Sequence, residues 1–201
     1  MRTLHSERSA VGTAIGTGTG ISTAIGAADV LTRTIELINV QRPSRVGRGP
    51  LTFADVLRRH GERLDPPIPE RELDRCAGVL RELGDVFRLT EVDEAAAAVN
   101  VLLERYCAPP RLMQHDGWPW HLHVDRGDDE PWHRWIGASG SFALATRLAG
   151  RRTVPWGVCN ASGCDQVFVH DDRGDPRRHC STRCATRVRV ARHRERHVRP
   201  G

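Results

Sequence analysis

Apolar residues recur at helical spacing along most of this chain, and proline or glycine marks the gaps. From Ala27 to Val40, residues Val30, Leu31, Ile35, Leu37 and Ile38 predict a first helix. Thr52 offers an N-cap for a second, running through Phe53, Val56 and Leu57 to about Leu64, and Asp65-Pro66-Pro67 ends it. Pro69, in a first-turn position, opens a third, with Leu73, Cys76, Ala77, Leu80 and Leu83 on one face. Thr90 reads as the next N-cap, Asp93 reaching back to it, before a helix from Ala95 to Tyr106 that Cys107-Ala-Pro-Pro110 stops. Trp118 to Val124 is strand-like. Pro131 opens a last helix of this part, through Trp135, Phe142, Leu144 and Leu148, and Gly150-Arg151 is the expected boundary.

Beyond that boundary the pattern changes. Cys159 and Cys164 enclose Asn160-Ala-Ser-Gly163, a turn-forming sequence that folds two thiolates towards one point. Val167-Phe168-Val169 reads as a return strand, and Asp171 to Pro176 as a turn. Cys180 and Cys184 are four apart, so on a helix they share a face. A helix N-terminus there is expected to lower both thiol pKa values. Four cysteines in two close pairs suit one structural zinc ion in a tetrahedral site, with Cys159, Cys164, Cys180 and Cys184 as ligands. Two disulfides are the competing use of the same residues. A turn, a hairpin and a helix carrying the second ligand pair outline a treble-clef finger.

Charge sharpens this division. The 201 residues carry thirty basic side chains, all of them arginine, and a formal net charge of +5. From Arg151 onward there are twelve arginines and five acids, a surplus of seven; the first 150 residues have eighteen and twenty, a deficit of two. Such asymmetry points to a polyanion partner at one end. Arg177 and Arg178 precede the last helix, Arg183, Arg187 and Arg194 flank its metal side, and Arg189, Arg192 and Arg196 lie opposite. All eight are candidate DNA contacts through phosphate or base edges. Val188 and Ala191 are expected to face the metal and a small core. The absence of lysine excludes Schiff-base chemistry and a P-loop.

Ser9 to Ala28 is uncharged but Gly- and Thr-rich, too poor in large aliphatics for a membrane span or a secretory segment. It is expected to be a flexible N-terminal segment, and a cytoplasmic location follows, where clustered cysteines are more often metal ligands than disulfides. Arg42 to Pro50 reads as a basic loop. His121 and His123 point the same way on a strand, with His115, Asp116 and Asp125 nearby. A metal or acid/base pair is conceivable there. The favoured reading is a hydrogen-bonded pair in a Trp-rich packing region (Trp118, Trp120, Trp132, Trp135), and a small-molecule sensing pocket is its functional version. Cys76 and Cys107 read as core residues. No nucleophile elbow, kinase signature or zinc-protease helix occurs, so no enzymatic activity is expected.

Gly157-Val-Cys159 through Cys164-Asp-Gln-Val-Phe168-Val, followed by Arg177-Arg-His-Cys180-Ser-Thr-Arg-Cys184-Ala-Thr-Arg187, resembles the CGNR zinc-finger family of bacterial proteins. The resemblance implies a stress-related transcription regulator, with the finger as DNA binder and an N-terminal helical domain of the ABATE type. Ala28-Asp-Val through Glu36-Leu-Ile-Asn39 is similar to the opening of that domain, and Trp120 to Asp125 to a segment of some members. The signature tetrapeptide here is Cys184-Ala185-Thr186-Arg187, lacking its Gly and Asn, which implies weaker use of that position.

The expectation is thus a mostly α (α+β) protein. Residues 1–26 form a flexible segment. Residues 27–150 form a helical ABATE-like sensing domain with a short β segment, meeting a small-molecule or protein effector. Residues 151–201 form a zinc-stabilised, treble-clef-like ββα module that binds DNA. A zinc-dependent protein- or RNA-binding adaptor is the alternative.

Overall fold

The computed structural model describes residues 27–42, 51–114, 119–127, 129–171 and 176–198. The Gly/Thr-rich segment 1–26, the Arg-Pro loop beyond Arg42, and His115, Asp116 and Trp118 lie outside them, as does most of the 171–176 turn. Among the described residues the chain forms, in order, α1 (Ala27–Val40), α2 (Phe53–Arg59), α3 (Glu70–Val86), α4 (Val92–Tyr106), β1 (Arg111–Met113), β2 (His121–His123), α5 (Trp132–Leu148), β3 (Trp156–Val158), β4 (Val167–Val169) and α6 (Thr182–Val198). The class is α+β, mostly helical. The strands make two antiparallel pairs, β1 with β2 and β3 with β4.

Helix α5 is the axis of the body. It is buried on every side from Trp135 to Ser141, and α1, α3 and α4 pack around it. Two glycines permit that approach. A Cβ on Gly137 would lie 2.5 Å from the Tyr106 ring, and one on Gly140 would lie 2.8 Å from Leu83.

Several local expectations give way to tertiary forces. Thr52 and Asp55 do form a capping box at α2, but the helix stops at Arg59, because Gly61 takes φ +86°; Leu64 therefore lies in a loop. At α4 the N-cap is Glu91, not Thr90, and no side chain closes it. In α3 Cys76, Leu80 and Leu83 are buried as expected, but in the first turn Leu73 is exposed and Glu72 is buried. The Glu72 carboxylate accepts the His133 backbone N–H (2.9 Å) and Nδ1–H (2.7 Å), so α3 caps the first turn of α5. Strand β1, not anticipated, pairs with β2 in the register Arg111↔His123, Leu112↔Leu122 and Met113↔His121.

A buried ion pair, Arg33 with Glu62, also sits in the core. Arg33 is 1% exposed. Its guanidinium donates to Glu62 (2.8 Å) and Ser139 (3.2 Å) and lies 4.0 Å over the Trp135 ring. Burial pulls its pKa down to about 10, against the pull of Glu62.

The C-terminal hairpin shares the main core. Trp156 and Val167 are buried in the cluster built by the helices, whereas Cys159, Ala161, Cys164, Phe168 and Cys184 form a second, small cluster. The Trp156 indole N–H donates to the Val86 carbonyl (3.1 Å), and its ring lies 5.7 Å from Phe87. Among the described residues no helix is long and apolar enough to cross a membrane.

Candidate metal centre and basic helix

Cys159 directly follows β3. Its N–H donates to the Gln166 carbonyl (2.9 Å), and the Cys164 N–H donates to Ala161 (2.9 Å), with Gly163 at φ +70° completing the turn. This knuckle presents two thiols on one side. The Asn160 N–H donates to the Arg178 carbonyl (3.0 Å), which draws the Cys180 segment alongside. Cys180 lies just ahead of α6 rather than within it, so the two late cysteines are not an i,i+4 pair on one helix. Ser181 supplies the turn: its hydroxyl accepts the Cys184 N–H (3.3 Å).

The sulfur geometry fits a metal. All four Sγ atoms lie within 4.8 Å of one another. Three edges of that figure are 3.8 Å (Cys164–Cys180), 3.7 Å (Cys180–Cys184) and 3.8 Å (Cys184–Cys164). Ligands at about 2.3 Å in a zinc tetrahedron stand about 3.8 Å apart. A disulfide needs about 2.05 Å, and all six cysteines are free.

Residues 156–197 match the CGNR zinc finger family. The match does not extend over the helices before it, and no curated protein matches the chain in sequence. In this CGNR finger, Cys159, Cys164, Cys180 and Cys184 hold one structural zinc ion, which ties hairpin to helix through four bonds.

As thiols, the ligands do not show the uniform lowering expected of a helix N-terminus. Burial pushes Cys180 and Cys184 up, and at Cys184 it prevails over the hydrogen bonds of Ser181 and Cys180, which pull the other way. Burial also opposes ionisation of Cys164, but the Gln166 backbone and hydrogen bonds from the other three cysteines hold it below its usual value. Elsewhere, burial raises Cys76 to about 12 and also raises Cys107, as inert core thiols require.

The eight arginines divide into two groups. Arg177 and Arg187 serve the finger itself. Arg177 donates to the Val169 carbonyl (2.9 Å), pairs with Asp171 (3.6 Å) and lies 5.6 Å over the Phe168 ring. Arg187 donates to the Ser162 carbonyl (3.0 Å), inside the first knuckle. Arg178, Arg183, Arg189, Arg192, Arg194 and Arg196 are exposed. Val188 packs against the cysteine cluster. Ala191 does not: every residue from Arg189 to Arg196 is exposed, because α6 runs clear of the body after its second turn. Thr186, standing where the family's Asn would be, is exposed and accepts from Arg189 (3.4 Å).

His121 and His123 share a face of β2, their Nε2 atoms 2.9 Å apart. His123 is buried and His121 half-buried. Of the tryptophans expected around them, Trp120 is 65% exposed, Trp132 and Trp135 stack edge-on in α5, and Trp118 lies outside the described residues.

Sequence reasoning missed three residues that seat the finger. Asn39 hydrogen-bonds Val167, Gln166 bonds the Asn39 and Arg42 carbonyls, and Asp165 pairs with Arg42 (3.2 Å) and Arg88 (3.0 Å). Asp165 and Gln166 had only their proximity to Cys164 as a signal, and Asn39, in α1, had none. A cavity of about 440 Å³ opens beside this seat, lined from both sides, by Glu36 and Arg59 of the body and by Phe168 and Arg177 of the finger.

Proposed function

We propose that this protein is a cytoplasmic bacterial transcription regulator that binds DNA through the zinc-held helix α6. The observation that carries the reading is α6 itself. Six arginines and one glutamate lie along Thr182–Val198, and its outer half is exposed on every side. A solvated helix has no need of that charge, whereas a phosphate backbone repays it through counterion release. The zinc fixes where the helix begins, and the knuckle contact of Arg187 fixes its base. The N-terminal helices form the sensing part, of the ABATE type, and have no catalytic step. The 440 Å³ cavity supports that assignment, since an effector there would touch α1 and the finger together. His121 and His123 are the other candidate sensing residues.

The test is selection from a random duplex-DNA pool with zinc-loaded protein, Cys159→Ser serving as control. A recurring motif lost in the variant supports a sequence-reading regulator. Salt-sensitive capture without a motif supports the second reading, a zinc-dependent adaptor for RNA or protein. One observation favours that second reading: the arginines surround α6 instead of marking a single groove-facing side.

A further inference from the structure

We propose that the cavity between α1, α2 and the finger binds a small organic monoanion, an apolar body carrying one carboxylate, a reading that rests on the sensing role already given to this cavity. At about 440 Å³ it falls in the lower part of the range of small-molecule sites, and it lies where two parts of the chain meet, as such sites often do. Ile35, Val40 and Val56 on the body side, with Phe168 and Val169 on the finger side, give it apolar walls. Four charged side chains also line it: the guanidiniums of Arg42, Arg59 and Arg177 and the carboxylate of Glu36.

The ion pairs around these walls leave one positive charge over. Glu36 is met by Arg59, and His60 Nε2 lies 3.0 Å from it. Asp165 is shared by Arg42 (3.2 Å) and Arg88 (3.0 Å). Asp171 stands 3.6 Å from Arg177, and both side chains are well exposed, so that pair contributes little. Four guanidiniums thus meet three carboxylates. A guanidinium carries five N–H donors. Arg59 gives one hydrogen bond to Glu36 and Arg177 one to the Val169 carbonyl, so each keeps donors for a ligand. Such a fork suits a carboxylate, which accepts two parallel N–H bonds. A cationic ligand would be repelled by the surplus, and a neutral apolar one would leave it unmet.

The site also depends on the zinc centre. Cys180 and Ser181 line the cavity, and Cys180 is a zinc ligand, so loss of the metal releases one wall. Anion and zinc therefore raise each other's affinity by the same factor.

The probe is octanoate, titrated by calorimetry into zinc-loaded, full-length protein without DNA. Octanamide, octylamine and inorganic sulfate are the comparisons. One octanoate per chain is expected, with the amide and the amine at least tenfold weaker and sulfate unable to displace it. Octanoate should slow the loss of zinc to a chelator, and zinc-stripped protein should bind it at least tenfold more weakly. Arg59→Glu should weaken binding at least tenfold while zinc content and helical circular dichroism stay unchanged. If Arg59→Glu disturbs α2, Arg59→Gln, which keeps a polar side chain at this exposed position, should still cost threefold or more. Arg192→Gln, far out on α6, should bind octanoate as the parent does. The proposal is overturned if octanoate does not bind, if the amide or amine binds as tightly, if sulfate displaces octanoate, or if zinc-stripped protein binds it unchanged. It is equally overturned if Arg59→Gln matches the parent or if Arg192→Gln weakens binding as much as Arg59→Gln. A protein that takes octanoate but selects no DNA motif keeps this site and loses the regulator; one that selects DNA but takes no octanoate does the reverse.

Discussion

The side-chain amide of Asn39 pairs with both backbone groups of Val167: its Nδ2–H donates to the Val167 carbonyl (2.9 Å), and its Oδ1 accepts the Val167 N–H (2.8 Å). One residue of α1 thus stands in for one residue of a strand beside β4. With Gln166 and Asp165 tied to the body as well, three consecutive positions after Cys164 are anchored outside the finger.

Asn39→Ala leaves two partly buried backbone groups without this partner, which costs about 1–3 kcal/mol. Chemical denaturation should show a loss in that range. Asn39→Asp should be worse than a simple loss of one bond, since it sets a carboxylate against the Val167 carbonyl.

Cys184 is fully buried at the centre of the small cluster. Cys184→Ser should bind substoichiometric zinc by elemental analysis and lose the circular dichroism of α6. The α5-centred core should persist as a separate, cooperative unfolding transition. A chelator added to the parent protein should produce the same spectrum.

Glu72 supplies a pH dependence. Burial opposes its ionisation, but hydrogen bonds from the His133 backbone and ring, with the charges of His133 and Arg75, hold its pKa below the ordinary glutamate value of about 4.5. A carboxylate with a depressed folded pKa adds stability that is present above about 4.5 and is lost as pH falls through the folded value. Thermal melts from pH 7 to pH 3 should show this decline. In Glu72→Gln the curve should start lower and fall less steeply.

Arg187 and Arg192 should separate structure from polyanion binding. Arg187→Gln removes the bond to Ser162 and should lower zinc affinity, read by competition with a chelator. Arg192→Gln should leave zinc and melting temperature unchanged while reducing the salt dependence of DNA binding by a slope of about 0.9.

Where periodicity and neighbours in the chain set the outcome, the sequence was readable. α1, α5, the β3–β4 hairpin and the four ligands needed only spacing and flanking turn residues. Distant partners were not legible. Glu72 is buried because His133 lies 61 residues on, whereas local polarity points to Leu73 instead. Arg33 reads as a surface charge until Glu62, Ser139 and Trp135 are brought around it. Strand β1 has three residues and no alternation to betray it. At the site, Cys spacing located the zinc, but not which arginines are consumed in holding the finger together.

Asp165, gripped by Arg42 and Arg88, fixes more than a loop. Helix α6 is 17 residues, about 25 Å long, and it is exposed from Arg189 to Arg196. Such a helix is a lever whose pivot is the zinc knuckle. A small tilt of α1 or α3 at the Asp165 grip re-aims the whole arm, and its arginine tip sweeps the widest arc.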